Sequence, residues 1–315
     1  MDQLVIRQIE KFQDPLVTAE GDPRAFVELS SLKTLWFNTG SQCNLTCDNC
    51  YIESSPHNDR LSYLTLADVN VFLQEIVSKG LPTSLIGFTG GEPFLNPDFV
   101  PMLTDTLRLG FNVLVLTNGF RRIDRYKSEL LQLNTDFGKR LQLRISLDHY
   151  SREVHEEERG SGTFAPTMKC ARWLAQHGFR LSIAGRAVAS EERQQTISGY
   201  QRLFEEYDLG LDAESGEHLV VFPEMDLSKD VPEITVACWD VLGKKPEQQM
   251  CASERMIVKR KGSQAPTVLP CTLLAYDKQF DLGASLESSA RRVQLNHKFC
   301  AQFCVLGGAS CSSTA

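Results

Sequence analysis

Thr34-Leu35-Trp36-Phe37-Asn38 and, following closely, Cys43-Asn44-Leu45-Thr46-Cys47-Asp48-Asn49-Cys50 decide how the chain is read. The first segment is a short apolar run bounded by turn residues, the signature of a strand buried on both faces. The second packs three thiols into eight residues. Thiolates that close repel one another, so a cationic metal centre is the natural way to hold them as anions. Three protein ligands would satisfy three irons of a cubane cluster and leave the fourth iron open. The competing reading is structural zinc, which takes four ligands from two separated pairs, and no second pair lies within finger-like distance.

Outward from this segment, apolar strands alternate with amphipathic helices, the rhythm of repeated strand-helix crossovers building a parallel sheet. The strands are expected at Thr34–Asn38, Ser84–Phe88, Asn112–Leu116, Leu141–Ser146, Leu181–Gly185 and His218–Phe222. Thr65 with Asp68 caps the start of a helix that Gly80 closes. Asn96-Pro97 marks a second helix start, and a third helix runs from about Phe164 to His177 with Cys170 as a packed thiol. Past Leu227 the alternation stops. A hairpin is expected there, from Arg255–Lys259 over Lys261-Gly262-Ser263 to Thr267–Leu269.

The chain has 315 residues, 42% hydrophobic and 23% charged, enough for a sizeable core. Its formal charge of -7 and lack of a long basic run argue against nucleic acid as a partner. No stretch approaches the roughly 20 apolar residues of a membrane span, and no secretion signal precedes the first strand, so the expectation is a cytoplasmic protein without a membrane partner. Ten cysteines in such a chain indicate metal or redox chemistry rather than a disulfide framework.

The spacing Cys43-x3-Cys47-x2-Cys50 after the first strand of a strand-helix repeat resembles the radical S-adenosylmethionine (radical SAM) superfamily, over nearly the whole chain. Thr89-Gly90-Gly91-Glu92-Pro93 after the second strand is similar to that family's glycine-rich element. The resemblance implies an α/β fold: a partial (β/α)6 barrel with a small C-terminal cysteine-rich α+β extension. It implies a 4Fe-4S cluster whose open iron binds S-adenosylmethionine, cleaved by one electron to a 5'-deoxyadenosyl radical that abstracts hydrogen from a small-molecule or peptide substrate. An electron donor such as flavodoxin or ferredoxin is implied as partner. Carried over by position, Gly90, Gly91, Glu92 and Pro93 would meet the methionine part of the cofactor, Asn118, Ser146 and Asp148 would lie along it with the latter two near the ribose, and Arg186 would meet its carboxylate. All stand at C-terminal strand ends, the catalytic face of barrels. Many members carry an aromatic residue before the third cysteine, where this chain has Asn49; Tyr51 either substitutes for it against the nucleotide or packs against the loop.

Asp148 has a second reading as a helix cap, and His155-Glu156-Glu157-Glu158-Arg159-Gly160 reads either as a family-like stretch or as a solvated acidic loop. Cys251, Cys271, Cys300, Cys304 and Cys311 resemble the cysteine-rich extension called SPASM or its shorter twitch form. They suffice for one auxiliary 4Fe-4S cluster or a closed zinc site, and spacing leaves open which four bind. The expected division is a lead-in segment 1–32, a barrel 33–226 and an auxiliary domain 227–315. Glu224 and Tyr150 are the candidate catalytic groups near the barrel mouth, with Asp226 and His57 as further loop residues. The opposing functional class is a non-catalytic iron-sulfur carrier, for which the glycine motif would have no use.

Overall fold

The computed structural model describes residues 10–226 and 228–312. The outermost ends of the expected lead-in and auxiliary segments, and the boundary residue Leu227, lie outside the described residues. The strands are β1 (Phe26–Val27), β2 (Thr34–Asn38), β3 (Leu85–Thr89), β4 (Asn112–Thr117), β5 (Leu141–Ser146), β6 (Arg180–Arg186), β7 (Leu219–Phe222), β8 (Glu254–Val258), β9 (Thr267–Leu269) and β10 (Val293–Gln294). The helices are α1 (Leu66–Lys79), α2 (Phe99–Arg108), α3 (Lys127–Phe137), α4 (Arg152–Arg159), α5 (Phe164–Gln176), α6 (Arg193–Glu206) and α7 (Cys238–Leu242).

Strands β2 to β7 pair in sequence order, each parallel to the next, with the helices as crossovers. These are the six strands expected, within a residue or two at each end; β2, β3 and β4 are nearly continuous apolar runs, whereas β5 carries buried Gln142 and Arg144 between its apolar residues. Phe37 stacks on Phe88, and Phe99 of α2 meets Phe88 edge-on, so the first two units share one aromatic core. Thr65 and Asp68 form a reciprocal capping box on α1, and Gly80 ends that helix in a left-handed conformation.

The hairpin is present, but it is not confined to an appended domain. Strand β8 pairs parallel with β2 on the side away from β3, and β9 pairs antiparallel with β8, so the sheet has eight strands in the order β7-β6-β5-β4-β3-β2-β8-β9. The Trp36 indole nitrogen donates to Glu254 Oε2 at 2.6 Å across that join. Arg144 of β5, fully buried, donates to the Cys311 carbonyl at 2.8 Å, while Ser310 and Ser312 donate to Glu254 Oε1. In a flat sheet β5 and β8 would stand about 19 Å apart, four strand spacings. Side chains that meet on residues 310–312 from both strands therefore curl the sheet into an open barrel around that segment.

Asn96 serves the start of α2, its Oδ1 accepting from the Asp98 amide at 2.9 Å and its carbonyl from the Phe99 amide at 3.1 Å, while its Nδ2 donates to the Thr39 and Leu64 carbonyls at 2.9 and 2.8 Å; the regular helix begins at Phe99. One local expectation needs correction. Asp148 caps nothing; Ser151 accepts from the Val154 amide at the start of α4. The lead-in is also tied to distant chain, since β1 pairs with β10 and the Ala25 amide donates to the Ile234 carbonyl.

Candidate active site

The C-terminal strand ends open onto a cleft of about 970 Å3 including its mouth. Cys43, Cys47 and Cys50 line it together with Gly90 and Gly91. Tyr51, Asn118, Ser146, Asp148 and Arg186 line the same cleft, so most of the residues expected from the sequence are gathered there.

The glycine motif and the cysteine loop are one unit. Gly91 donates to the Gly40 carbonyl at 2.8 Å and the Glu92 amide to the Gln42 carbonyl at 3.0 Å. A Cβ on Gly91 would stand 2.0 Å from the Gln42 carbonyl oxygen, and one on Gly90 would stand 2.7 Å from the Gly40 oxygen. The glycines therefore admit the backbone leading into Cys43 as well as lining the cleft. Glu92 does not line the cleft. It is buried beneath it, accepting from the Thr117 hydroxyl at 2.7 Å, the Asn118 amide at 2.9 Å and the Phe94 amide at 3.2 Å. Burial outweighs these donors and lifts its carboxyl to about 7. Pro93, also absent from the cleft wall, opens a short 3-10 turn. Both residues shape the loop from behind.

Charge in the cleft is concentrated at one place. Burial alone would raise the Asp148 carboxyl, but Arg159 and Arg186 outweigh it and hold it below the usual carboxylate range. Arg159 grips Asp148 with two bonds of 2.7 and 3.0 Å, and Arg186 approaches it at 3.4 Å. Arg186 also lies 4.6 Å above the Tyr51 ring, whose hydroxyl donates to the Pro223 carbonyl at 3.1 Å. Asn118 Nδ2 donates to Asn44 Oδ1 at 2.9 Å, linking the end of β4 to the cysteine loop.

The residue that sequence reasoning missed is Arg159. Its stretch is not a solvated acidic loop but the helix α4, with His155 fully buried and Arg159 one turn on, lining the cleft. The signal was the four-residue spacing of His155 and Arg159 among carboxylates, which puts both on one helix face. The catalytic candidates fare differently. Glu224 is exposed and does not line the cleft, because β7 ends at Phe222 and the chain turns outward before buried Met225. Tyr150 also stands outside it: its hydroxyl donates to Glu191 at 2.9 Å and its ring covers Gly199. His57 and Asp226 are likewise absent from the cleft wall.

The C-terminal cysteines divide. Cys251, Cys271, Cys300 and Cys304 line a second, apolar cavity, with Cys300 and Cys304 on a π-helical turn, a form often found at functional sites. Cys311 is not among them; it lines the main cleft, accepting from the Thr272 hydroxyl at 3.1 Å. Leu273 lines both cavities, so a single wall separates them. Burial pushes the Cys43, Cys251 and Cys271 thiols up to about 12, and raises Cys47, Cys300 and Cys304. Burial lifts the packed thiol Cys170 as far, so it is the gathering of several thiols around one space, and not their shift, that gives both groups the donors of a ligand set. Among the described residues, no three Cys, His, Asp or Glu side chains gather closely enough for a single ion. The thiols of each group instead surround a space.

Comparison with known proteins agrees with this arrangement. The family model described as the radical SAM superfamily matches residues 37–191, which run from β2 to the start of α6. The antilisterial bacteriocin subtilosin biosynthesis protein AlbA of Bacillus subtilis (strain 168) is 33% identical over 149 residues, 47% of this chain and 32% of AlbA. The chain thus spans about a third of the length of that relative. Among solved structures, anSMEcpe with bound AdoMet superposes with a TM-score of 0.60 at 17% identity, covering 85% of this chain and 82% of that one. Streptococcus suis SuiB bound to the precursor peptide SuiA gives 0.56 at 15% identity, covering 82% and 63%. These two likenesses show the fold. With the cysteine loop, the glycine turn docked upon it and the family match across both, the chain carries a radical SAM domain over residues 37–191.

Proposed function

We infer that the protein cleaves S-adenosylmethionine at a 4Fe-4S cluster held by Cys43, Cys47 and Cys50 and uses the product to modify a peptide. The observation that carries this reading is the cleft itself, where three thiols and the Gly90–Gly91 backbone line one space. When bound, the cluster and nucleotide supply reductive bond cleavage and a hydrogen-abstracting 5'-deoxyadenosyl radical. The chain's part is to hold and orient. The three thiols would hold three irons and leave one free of protein, Asn118 and Ser146 offer polar side chains along the cleft, and Arg186 offers a cation for a carboxylate. Tyr51 supplies an aromatic face. Glu92 and Pro93 act from beneath, through the turn they stabilise.

Cys251, Cys271, Cys300 and Cys304 would hold a second 4Fe-4S cluster in their apolar cavity, with Cys311 left outside the set. In this division residues 33–226 carry the cofactor chemistry and 227–315 the second centre. The peptide class is supported by a relative named for bacteriocin biosynthesis and a fold neighbour solved with a precursor peptide. A small flavodoxin or ferredoxin would deliver the electron.

Anaerobic reconstitution, followed by iron counting and detection of 5'-deoxyadenosine under dithionite, tests the reading. About eight irons in the wild type and about four in the Cys43/Cys47/Cys50 triple Ala variant are expected, with nucleotide cleavage in the former alone. About four irons with bound zinc would assign the second cavity to zinc, while full iron loading without cleavage, even with candidate peptides, would favour an electron carrier.

A further inference from the structure

The end of α4 grips the cysteine loop from two sides. On the outside, the Asp48 amide donates to the Glu158 carbonyl at 3.0 Å, and Asn49 Nδ2 donates to both Glu158 carboxylate oxygens at 2.9 and 3.1 Å. On the inside, Arg159 turns into the cleft beside Cys47 and Cys50, its side chain only 10% exposed. Its bidentate pairing with Asp148 fixes the guanidinium in one orientation. Asp148 is shared with Arg186, so two cations meet one carboxylate. The group of three carries one surplus positive charge, buried where water screens it poorly.

The geometry points to Arg159 as a positioning residue that sets the reduction potential of a cluster on the three-cysteine loop, with Asp148 as its counterweight. The inference rests on the cluster reading above. A fixed positive charge beside the ligands favours the state with one more electron, since net charge and nearby dipoles are the protein's levers on such potentials. Removing Arg159 leaves Asp148 facing the loop with Arg186 alone; removing the Asp148 charge leaves two cations unopposed. The two changes therefore push the potential in opposite directions. A residue that merely packed the loop would move cluster loading, not the sign of a potential shift.

The test is an EPR-monitored redox titration of the reconstituted full chain. It follows the reduced-cluster signal that S-adenosylmethionine perturbs and that the Cys43/Cys47/Cys50 triple Ala variant lacks. Arg159→Gln should shift the reduction equilibrium at least tenfold toward the oxidised form, about 59 mV downward for one electron. Asp148→Asn should shift it upward, and Arg159→Lys, which keeps the charge, should stay near the wild type. Unchanged potentials, or shifts of the same sign in Arg159→Gln and Asp148→Asn, overturn the assignment. If Arg159→Gln takes up no iron, the Asp148→Asn shift decides alone: upward supports the assignment, and no shift or a downward one overturns it. A wild type without any such signal overturns the cluster reading, and this assignment with it.

Discussion

Gly91 and Gln42 leave each other no space, since a Cβ at Gly91 would lie 2.0 Å from the Gln42 carbonyl oxygen. The glycine turn is seated on the backbone that enters the cysteine loop, and Gly91→Ala must push the two apart. Overpacking of this kind costs about 1–3 kcal/mol. The expected outcome is a folded chain that loses about four of its about eight irons, as the Cys43/Cys47/Cys50 triple Ala variant does. Full iron loading in Gly91→Ala would show that the contact does not position the loop.

Glu92 gives a pH signature in the chain without metal. A free glutamate ionises near about 4.3, whereas burial holds this one to about 7. Between those values the folded chain binds more protons than the unfolded chain, so stability falls as pH rises through the window. The full effect is of the order of 3 kcal/mol. The urea midpoint should drop between about pH 5 and pH 7 more steeply in the wild type than in Glu92→Gln. Parallel slopes would mean that Glu92 ionises at its ordinary value.

Tyr150 and Glu224 stand outside the cleft wall, so neither should matter to nucleotide cleavage. Glu224→Gln and Tyr150→Phe are expected to form 5'-deoxyadenosine within about twofold of wild type under dithionite, a difference below about 0.5 kcal/mol. Tyr150→Phe should lose about 1 kcal/mol of stability with its bond to Glu191. A tenfold fall in cleavage for either would place it back at the chemistry.

Cys271 and Cys311 separate by iron count. Cys271→Ala should cost the second cluster, about four irons, because its thiol faces the cavity shared with Cys251, Cys300 and Cys304. Cys311→Ala should keep all of them. Equal losses in both variants would return Cys311 to the ligand set.

Strands β2 to β7 were legible because each carries more than one Leu, Ile, Val or Phe within a short segment and its partners follow in chain order. The cysteine loop and glycine turn were legible because their residue types and spacing are rare outside such a site. What escaped depends on contacts between distant residues. Glu254 to Val258 reads locally as one arm of a hairpin, and nothing nearby in sequence announces that its other edge meets Thr34 to Phe37. Cys311 looks like one more member of a cysteine group until Arg144 and Glu254 draw residues 310–312 into the barrel. Tyr150 and Glu224 follow strands as catalytic residues do, but a position in sequence does not state which way a side chain turns.

The parallel join of β8 to β2 also dictates an order of events during synthesis. In a chain made from its N-terminus, β2 keeps one bare edge until residues 254–258 have left the ribosome, and the Trp36 indole has no Glu254 to meet. Such an edge invites pairing with other nascent chains. The strand that leads into the cysteine loop is thus among the first made, yet one of its edges is covered only once the distant β8 has been made.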